Sequence, residues 1–208
     1  MAEIIKCSGY AFAQAGTASL RCPACSHVAA FDPLAGMNDV VVAGYLLGHR
    51  RCPNTACHAH VFVVIRPQQG VVATYPPVML DFDVANIPAK LAATFQESLV
   101  CHANECYTAA AMMVRKTLEQ LCLERGATGK NLKERVADLR TKVILPSALL
   151  DAADGLRLLG NDAAHIEAQT YNDVGKREVE LAIALTREIM KSLYQYQSLL
   201  DQLNSLKK

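Results

Sequence analysis

Two short segments of this 208-residue chain carry paired cysteines at spacings suited to metal chemistry. Arg21-Cys22-Pro23-Ala24-Cys25 is a C-x2-C turn, and Arg51-Cys52-Pro53-Asn54-Thr55-Ala56-Cys57 is a C-x4-C turn, with 26 residues between Cys25 and Cys52. A tight turn of this kind points two sulfurs the same way and lets backbone amides hydrogen-bond to them, so two such turns present four thiolates to one tetrahedral ion. Four soft ligands leave zinc no open position, which predicts a structural rather than catalytic ion on Cys22, Cys25, Cys52 and Cys57. His58 and His60 follow the second pair and stand as alternatives to Cys57. Cys57 is preferred, because His60 reads as the first residue of the next strand. Cys7, Cys101, Cys106 and Cys122 lack knuckle spacing. Cys101 and Cys106, five apart on a predicted helix, face different ways and read as packing residues.

A second segment with chemistry in it is Asp154-Gly155-Leu156-Arg157-Leu158-Leu159-Gly160-Asn161-Asp162-Ala163-Ala164-His165, a polar insertion in an otherwise apolar helix. Asn161 and His165 are four apart and share a helix face, with Arg157 one turn earlier. A guanidinium can clamp a phosphate, an amide can orient it, and an imidazole can move a proton near neutral pH. The plainer reading of His165, bonding the last carbonyls of its helix, stands beside the chemical one. Arg115 and Glu119 have ordinary i,i+4 ion-pair spacing, and Asp151, Asp154 and Asp162 read as a solvated face. His49, Arg50 and Arg51 read as a solvated, positively charged turn leading into the second cysteine pair.

The bulk properties narrow the setting. A chain that is 51% apolar by residue type with a formal charge of +1 has an ordinary core and no broad cationic field, so any nucleic-acid contact must be local. Neither part is charge-extreme: five Lys and Arg against three Asp and Glu lie in residues 1–80, and sixteen against seventeen in residues 81–208. The opening MAEIIKCSGYAFAQ lacks the basic start and apolar run of a secretory signal, and no stretch approaches the roughly 20 apolar residues of a membrane span. A cytoplasmic, reducing setting is expected, where clustered cysteines serve as metal ligands rather than disulfides. No Walker loop, dinucleotide-binding glycine pattern, H-E-x-x-H or nucleophile elbow occurs.

The elements that must position these groups change character near the tandem Pro76-Pro77. Before it come β-branched runs, Val40 through Leu47, Val61 to Ile65 and Val71 to Tyr75, which read as strands. After Pro88 apolar residues recur every three or four positions. Helices are expected from Pro88 to about His102, from Asn104 to Arg125 with Cys106, Ala110, Met113, Thr117 and Leu121 on one stripe, and from Leu132 to Lys142. A fourth runs from Pro146 to about His165. The last begins near Asp173 and aligns Ala182, Leu185, Ile189, Leu193, Tyr196, Leu200 and Leu203 in a near-heptad seam whose end could pack on a second copy of the chain. The fold class is therefore α+β: a small β-rich domain over 1–80, then an all-α bundle over 81–208.

The cysteine-bearing part resembles a zinc ribbon. Residues from about Cys106 to Leu193, through Arg115-Lys116-Thr117-Leu118-Glu119 and Arg157 with Gly160-Asn161-Asp162-Ala163-Ala164-His165, resemble a bacterial domain of unknown function grouped with the HEPN superfamily of helical bundles. Active HEPN proteins are metal-independent ribonucleases that dimerise so that Arg and His of an R-x4-6-H motif from each chain line a shared cleft. The resemblance implies His165 as general acid or base and Arg157 as the phosphate-stabilising cation. Here seven residues separate the two, about 12 Å along a helix axis, and a homodimer through the helical domain would supply the second set. The resulting expectation is RNA binding or metal-independent RNA cleavage in bacterial defence or stress. A non-catalytic protein or nucleotide interaction module is the alternative, and a zinc-ribbon DNA-binding regulator, resting on the arginines near Cys52, is a third.

Overall fold

In a computed structural model of the chain, residues 5, 9–165, 167, 170–171 and 174–207 are described. Cys7 and Asp173 lie outside them. The chain divides into two compact units, Met1–Asp81 and Phe82–Lys208.

The first unit is an antiparallel sheet of β1 (Ala11–Gln14), β2 (Ala18–Arg21), β3 (Val28–Pro33), β4 (Asn38–Val42), β5 (Tyr45–Arg51), β6 (His60–Arg66) and β7 (Gly70–Tyr75). β5 is its hub. Along one edge β5 pairs first with β4 and then, at Arg50 and Arg51, with β3; along the other it pairs with β6, which carries β7. The run from Val40 to Leu47 is thus two strands and not one. Ala43 and Gly44 turn the chain with φ of 47° and 80°, the left-handed pair that a two-residue hairpin needs to match strand twist. Alanine at such a φ is uncommon, which is why the turn is inconspicuous in the sequence. β1, β2 and β3 are short, and β1 is mostly exposed; they lack the β-branched runs that mark β6 and β7 and were not expected.

One sheet face forms the core. Leu20, Phe31, Val61 and Val63 pack with Cys22 and Cys52, following the two-residue alternation of strands. On the same face of β5, Arg50 is fully buried, not in a solvated turn as its neighbours suggested. Its guanidinium donates two hydrogen bonds to the Asp39 carboxylate on β4, at 2.8 and 2.7 Å, with Asp39 only 2% exposed. Gly48 stands opposite Asp39, since Val40 pairs with Leu47, and a Cβ there would overlap both the carboxylate and the guanidinium. Two buried charges are tolerated because each neutralises the other in a bidentate geometry.

The second unit is helical: α1 (Ala89–Ala103), α2 (Tyr107–Glu124), α3 (Leu132–Lys142), α4 (Ser147–Ala164), α5 (Lys176–Met190) and α6 (Tyr196–Ser205), with π-helical residues Lys191–Gln195 joining the last two. α2 lies at the centre, against α1, α3, α4 and α5. Its buried stripe is Ala110, Ala111, Val114, Thr117, Leu118, Leu121 and Cys122, while Met113 is only half buried and Cys106 is exposed. The α1–α2 boundary falls at Asn104, Glu105 and Cys106, where Glu105 adopts φ 60°, so Cys101 and Cys106 do not share a helix; the Cys106 amide instead donates to the Cys101 carbonyl at 2.9 Å. α3 starts where Asn131 accepts from the Glu134 amide at 3.0 Å and Glu134 accepts from the Lys130 amide at 2.8 Å, a cap that satisfies orphan donors. The expected seam is buried within the chain only in part. Val179, Ala182, Ile183, Thr186, Ile189, Met190 and Leu193 are buried, but Leu185, Tyr196, Leu200 and Leu203 are exposed. The π-helical turn inserts a residue into the helical repeat and rotates the succeeding side chains about the helix axis.

The chain is α+β overall, and among the described residues no helix is long and apolar enough to cross a membrane. Removing one partner of the Asp39–Arg50 pair leaves a buried charge uncompensated, which costs about 3–5 kcal/mol. Asp39→Ala is expected to lose about that much stability in urea unfolding monitored by the sheet signal in circular dichroism, with Gly48→Ala also destabilised; wild-type stability in Asp39→Ala would contradict the assignment.

Candidate functional site

The two cysteine turns fold as near copies of each other. In the first, the Cys22 amide donates to the His27 carbonyl at 2.8 Å and Ser26 succeeds Cys25 with φ 61°. In the second, the Cys52 amide donates to the Ala59 carbonyl at 2.9 Å and His58 succeeds Cys57 with φ 52°. Each left-handed residue reverses the chain just past the second cysteine and directs both sulfurs of the turn inward. The two extra residues of the C-x4-C turn are absorbed by Asn54, whose carbonyl accepts from the Cys57 amide at 2.9 Å and whose side-chain oxygen accepts from the Ala56 amide, also at 2.9 Å.

β2–β3 and β5–β6 bring the turns together. The sulfurs of Cys22, Cys25, Cys52 and Cys57 all lie within 4.8 Å of one another, with Cys22 to Cys57 and Cys25 to Cys52 each at 3.8 Å. A disulfide has sulfurs about 2.05 Å apart, so these are four free thiols. A regular tetrahedron around an ion with metal–sulfur bonds of about 2.3 Å has edges of about 3.8 Å. The two measured edges share no corner and both have that length, so the four residues fit a tetrahedral metal ion. His58 and His60 are outside the cluster: the His60 Nδ1 lies 3.2 Å from His49 Nε2, on β5.

The electrostatics of the cluster arise from its surroundings. The His27 amide hydrogen-bonds the Cys25 sulfur and draws that thiol down to about 7, whereas burial pushes Cys52 up to about 12. Burial and the neighbouring sulfurs favour the protons on Cys52 and, against the Ala59 amide, on Cys57. A divalent ion displaces those protons, and amides bonded to the sulfurs help hold the resulting thiolates.

The second set of residues is placed differently from the expectation. α4 ends at Ala164, and His165 leaves it with extended backbone, φ −132° and ψ 118°, its amide donating to the Asn161 carbonyl at 3.0 Å. His165 is exposed and no longer obeys the helical repeat, so it does not share the Asn161 face through i,i+4 geometry. Arg157 is 16% exposed, and its Nε donates to the Asp154 carboxylate at 2.8 Å, which holds Asp154 below the usual carboxylate range. Asn161 is half buried. The three aspartates are not simply solvated: Asp151 pairs with Arg140 at 2.7 Å, Asp154 with Arg157, and Asp162 accepts from the Tyr171 amide at 2.6 Å.

α2 contributes a residue here that spacing alone did not assign to the segment. Arg115 pairs with Glu119 at 3.4 Å and also donates to the Arg157 carbonyl at 3.2 Å. Gly160 is the reason it reaches, because a Cβ at that position would overlap the Arg115 side chain. A glycine in the middle of a helix is costly without such a contact, and that is the signal in the sequence from which a close crossing of α2 and α4 could have been inferred.

The helices that carry this crossing fall within a known family. The family described as "Domain of unknown function (DUF4145)" matches residues 96–207, and the chain belongs to that family. No curated protein and no solved structure matches the chain.

The cluster makes a direct prediction. Purified protein should carry one metal ion per chain by elemental analysis, Cys52→Ser should carry none, and Cys106→Ser should carry the wild-type amount. Because binding displaces thiol protons, the metal should hold more weakly as pH falls and be released on acidification, which a chromogenic chelator reads; metal content indifferent to Cys52→Ser would remove the site.

Proposed function

We propose that the cysteine cluster holds a structural zinc ion and that the helical unit, read as HEPN-like, acts on RNA as a homodimer. Zinc is the ion that best suits four thiolates in a closed tetrahedron, and the two 3.8 Å sulfur–sulfur edges carry that part of the reading. For the helical unit the observation that carries the reading is the end of α4, where an exposed imidazole, His165, succeeds a helix bearing Asn161 and Arg157, with Arg115 packed onto Gly160. Exposure leaves the ring free to meet a substrate, and the guanidinium groups lie on the helices behind it.

The chemistry would be transesterification. His165 would take the proton of a ribose 2′-hydroxyl as that oxygen attacks the adjacent phosphorus, forming a 2′,3′-cyclic phosphate. The bond to the 5′-oxygen would break, and the leaving oxygen would take a proton from the partner subunit's His165. Arg157 would offset charge on the phosphorane oxygens. No divalent ion is needed for these steps, and the zinc would remain structural.

A second reading is favoured by the ion pair. Asp154 already holds the Arg157 guanidinium, and a cation so engaged suits a module that binds protein or nucleotide without turnover. The DNA-regulator reading loses one of the two arginines it rested on, since Arg50 is buried against Asp39 while Arg51 stays exposed.

Cleavage of end-labelled RNA in excess EDTA separates the first two. The parent protein, its metal content and fold checked afterwards, is expected to give products ending in cyclic phosphate, and His165→Ala to lose at least about a hundredfold in rate, in the range of lost general acid–base catalysis. Equal rates in parent and variant, or no cleavage across several RNAs, would leave the non-catalytic module.

A further inference from the structure

The sheet of the first unit has a second face that the metal cluster and the core do not use. Directly paired residues on neighbouring strands share a face, and the register links Arg51 to His60, His49 to Phe62, and Phe62 to Tyr75 across β5, β6 and β7. These side chains therefore stand together, opposite the buried Arg50, Val61 and Val63. Phe62 is 43% exposed and Tyr75 is 68% exposed. Two large aromatic rings on adjacent strands, held open to water, bury little of the apolar area that usually justifies them. His49 and His60 lie beside them with ring centroids 5.0 Å apart. Arg51 is exposed next to the histidines, and Arg66 lies at the far end of β6 with its guanidinium 5.3 Å from the Tyr45 ring centre. Among the described residues, the pairing puts one carboxylate on this face, Asp32, across from Arg51.

We propose that this face of the sheet binds single-stranded RNA, with Phe62 and Tyr75 stacking bases and Arg51 and Arg66 meeting phosphates. The inference rests on the RNA reading above and gives it a recognition surface remote from the proposed chemistry in sequence. Adjacent strands are about 4.8 Å apart, so rings paired across them can receive successive unstacked bases, as sheet surfaces that read single strands do. Leu47 and Val64, next along this face, are half buried, so at its open end rings alternate with a cation and imidazoles rather than with aliphatic side chains. That alternation complements a strand offering a flat base and an anionic phosphate at every nucleotide. A duplex, whose base faces are stacked away, would not match it.

Fluorescence anisotropy of a labelled twelve-nucleotide oligouridine tests the proposal on the full chain carrying His165→Ala, so that the oligonucleotide stays intact. Tyr75→Ala and Phe62→Ala are each expected to weaken binding at least about fivefold, the lower range for losing one base stack, while Tyr75→Phe binds as the parent does. Arg51→Gln and Arg66→Gln should each reduce the slope of log affinity against log salt by about 0.7, one phosphate contact on a single strand. A duplex RNA of equal length should bind more weakly. Metal content and thermal melting confirm that each variant is folded; Tyr75 is exposed enough that its replacement leaves the core intact. Unchanged affinity in folded Tyr75→Ala and Phe62→Ala, with the parent binding RNA, would overturn the sheet-face proposal and leave the RNA reading standing. Absence of both RNA binding and RNA cleavage in the unmutated protein would overturn the two together.

Discussion

Four sulfurs brought within 4.8 Å of one another are a condition that the rest of the first unit has to meet. Cys22 and Cys52 are buried in the same cluster as Leu20, Phe31, Val61 and Val63, so the metal site and the hydrophobic core are one structure. A unit of about eighty residues with so small a buried cluster gains little from burial alone. A cation closing two loops that are distant in sequence adds binding free energy to folding. The left-handed residues Ser26 and His58, and the amide-to-carbonyl bonds that open each turn, place the four sulfurs where they could hold such an ion. The Asp39–Arg50 pair is the second such constraint: it fills space beside β4 and β5 that an apolar side chain could have filled, and it obliges Gly48 to be glycine.

In the second unit the organising feature is the close crossing of α2 and α4. Gly160 lets Arg115 lie on α4 and reach the Arg157 carbonyl, while Asp154 fixes the Arg157 side chain from one turn away. Arg157 is thereby held in place from two sides. Tyr171, through its amide on Asp162 and its hydroxyl on the Gly155 carbonyl, draws the chain beyond α4 back against that helix. These contacts make the polar insertion of α4 a packed feature, which is compatible with a site that must be held still and equally with a module that binds without turnover.

Much of this was legible from residue types. The cysteine spacings identified the four sulfurs, because tight turns convert sequence spacing directly into geometry. α3 was legible to the residue, and α1 and α4 nearly so, because proline and apolar periodicity act locally. Where longer-range packing decides, the sequence was a poorer guide. The Ala43–Gly44 turn carries an alanine where glycine or asparagine is usual, so two strands read as one. Arg50 looked like surface charge because its partner Asp39 is on another strand and burial is not written in residue type. The π-helical turn at Lys191–Gln195 interrupts the helical repeat within the predicted seam, and the end of α4 one residue before His165 took that histidine off the Asn161 face. Both are one-residue events that a periodic pattern averages away.

X-ray absorption at the zinc edge of the purified protein addresses the central claim most directly, because it reports the ligands of the ion and not only its presence. Four sulfur scatterers at about 2.3 Å with no nitrogen is the predicted result and would identify the ion and the ligand set of Cys22, Cys25, Cys52 and Cys57 together. A shell containing imidazole nitrogen would place His58 or His60 on the metal in contradiction to the arrangement described, and an absence of zinc would contradict the claim that this ion organises the sheet.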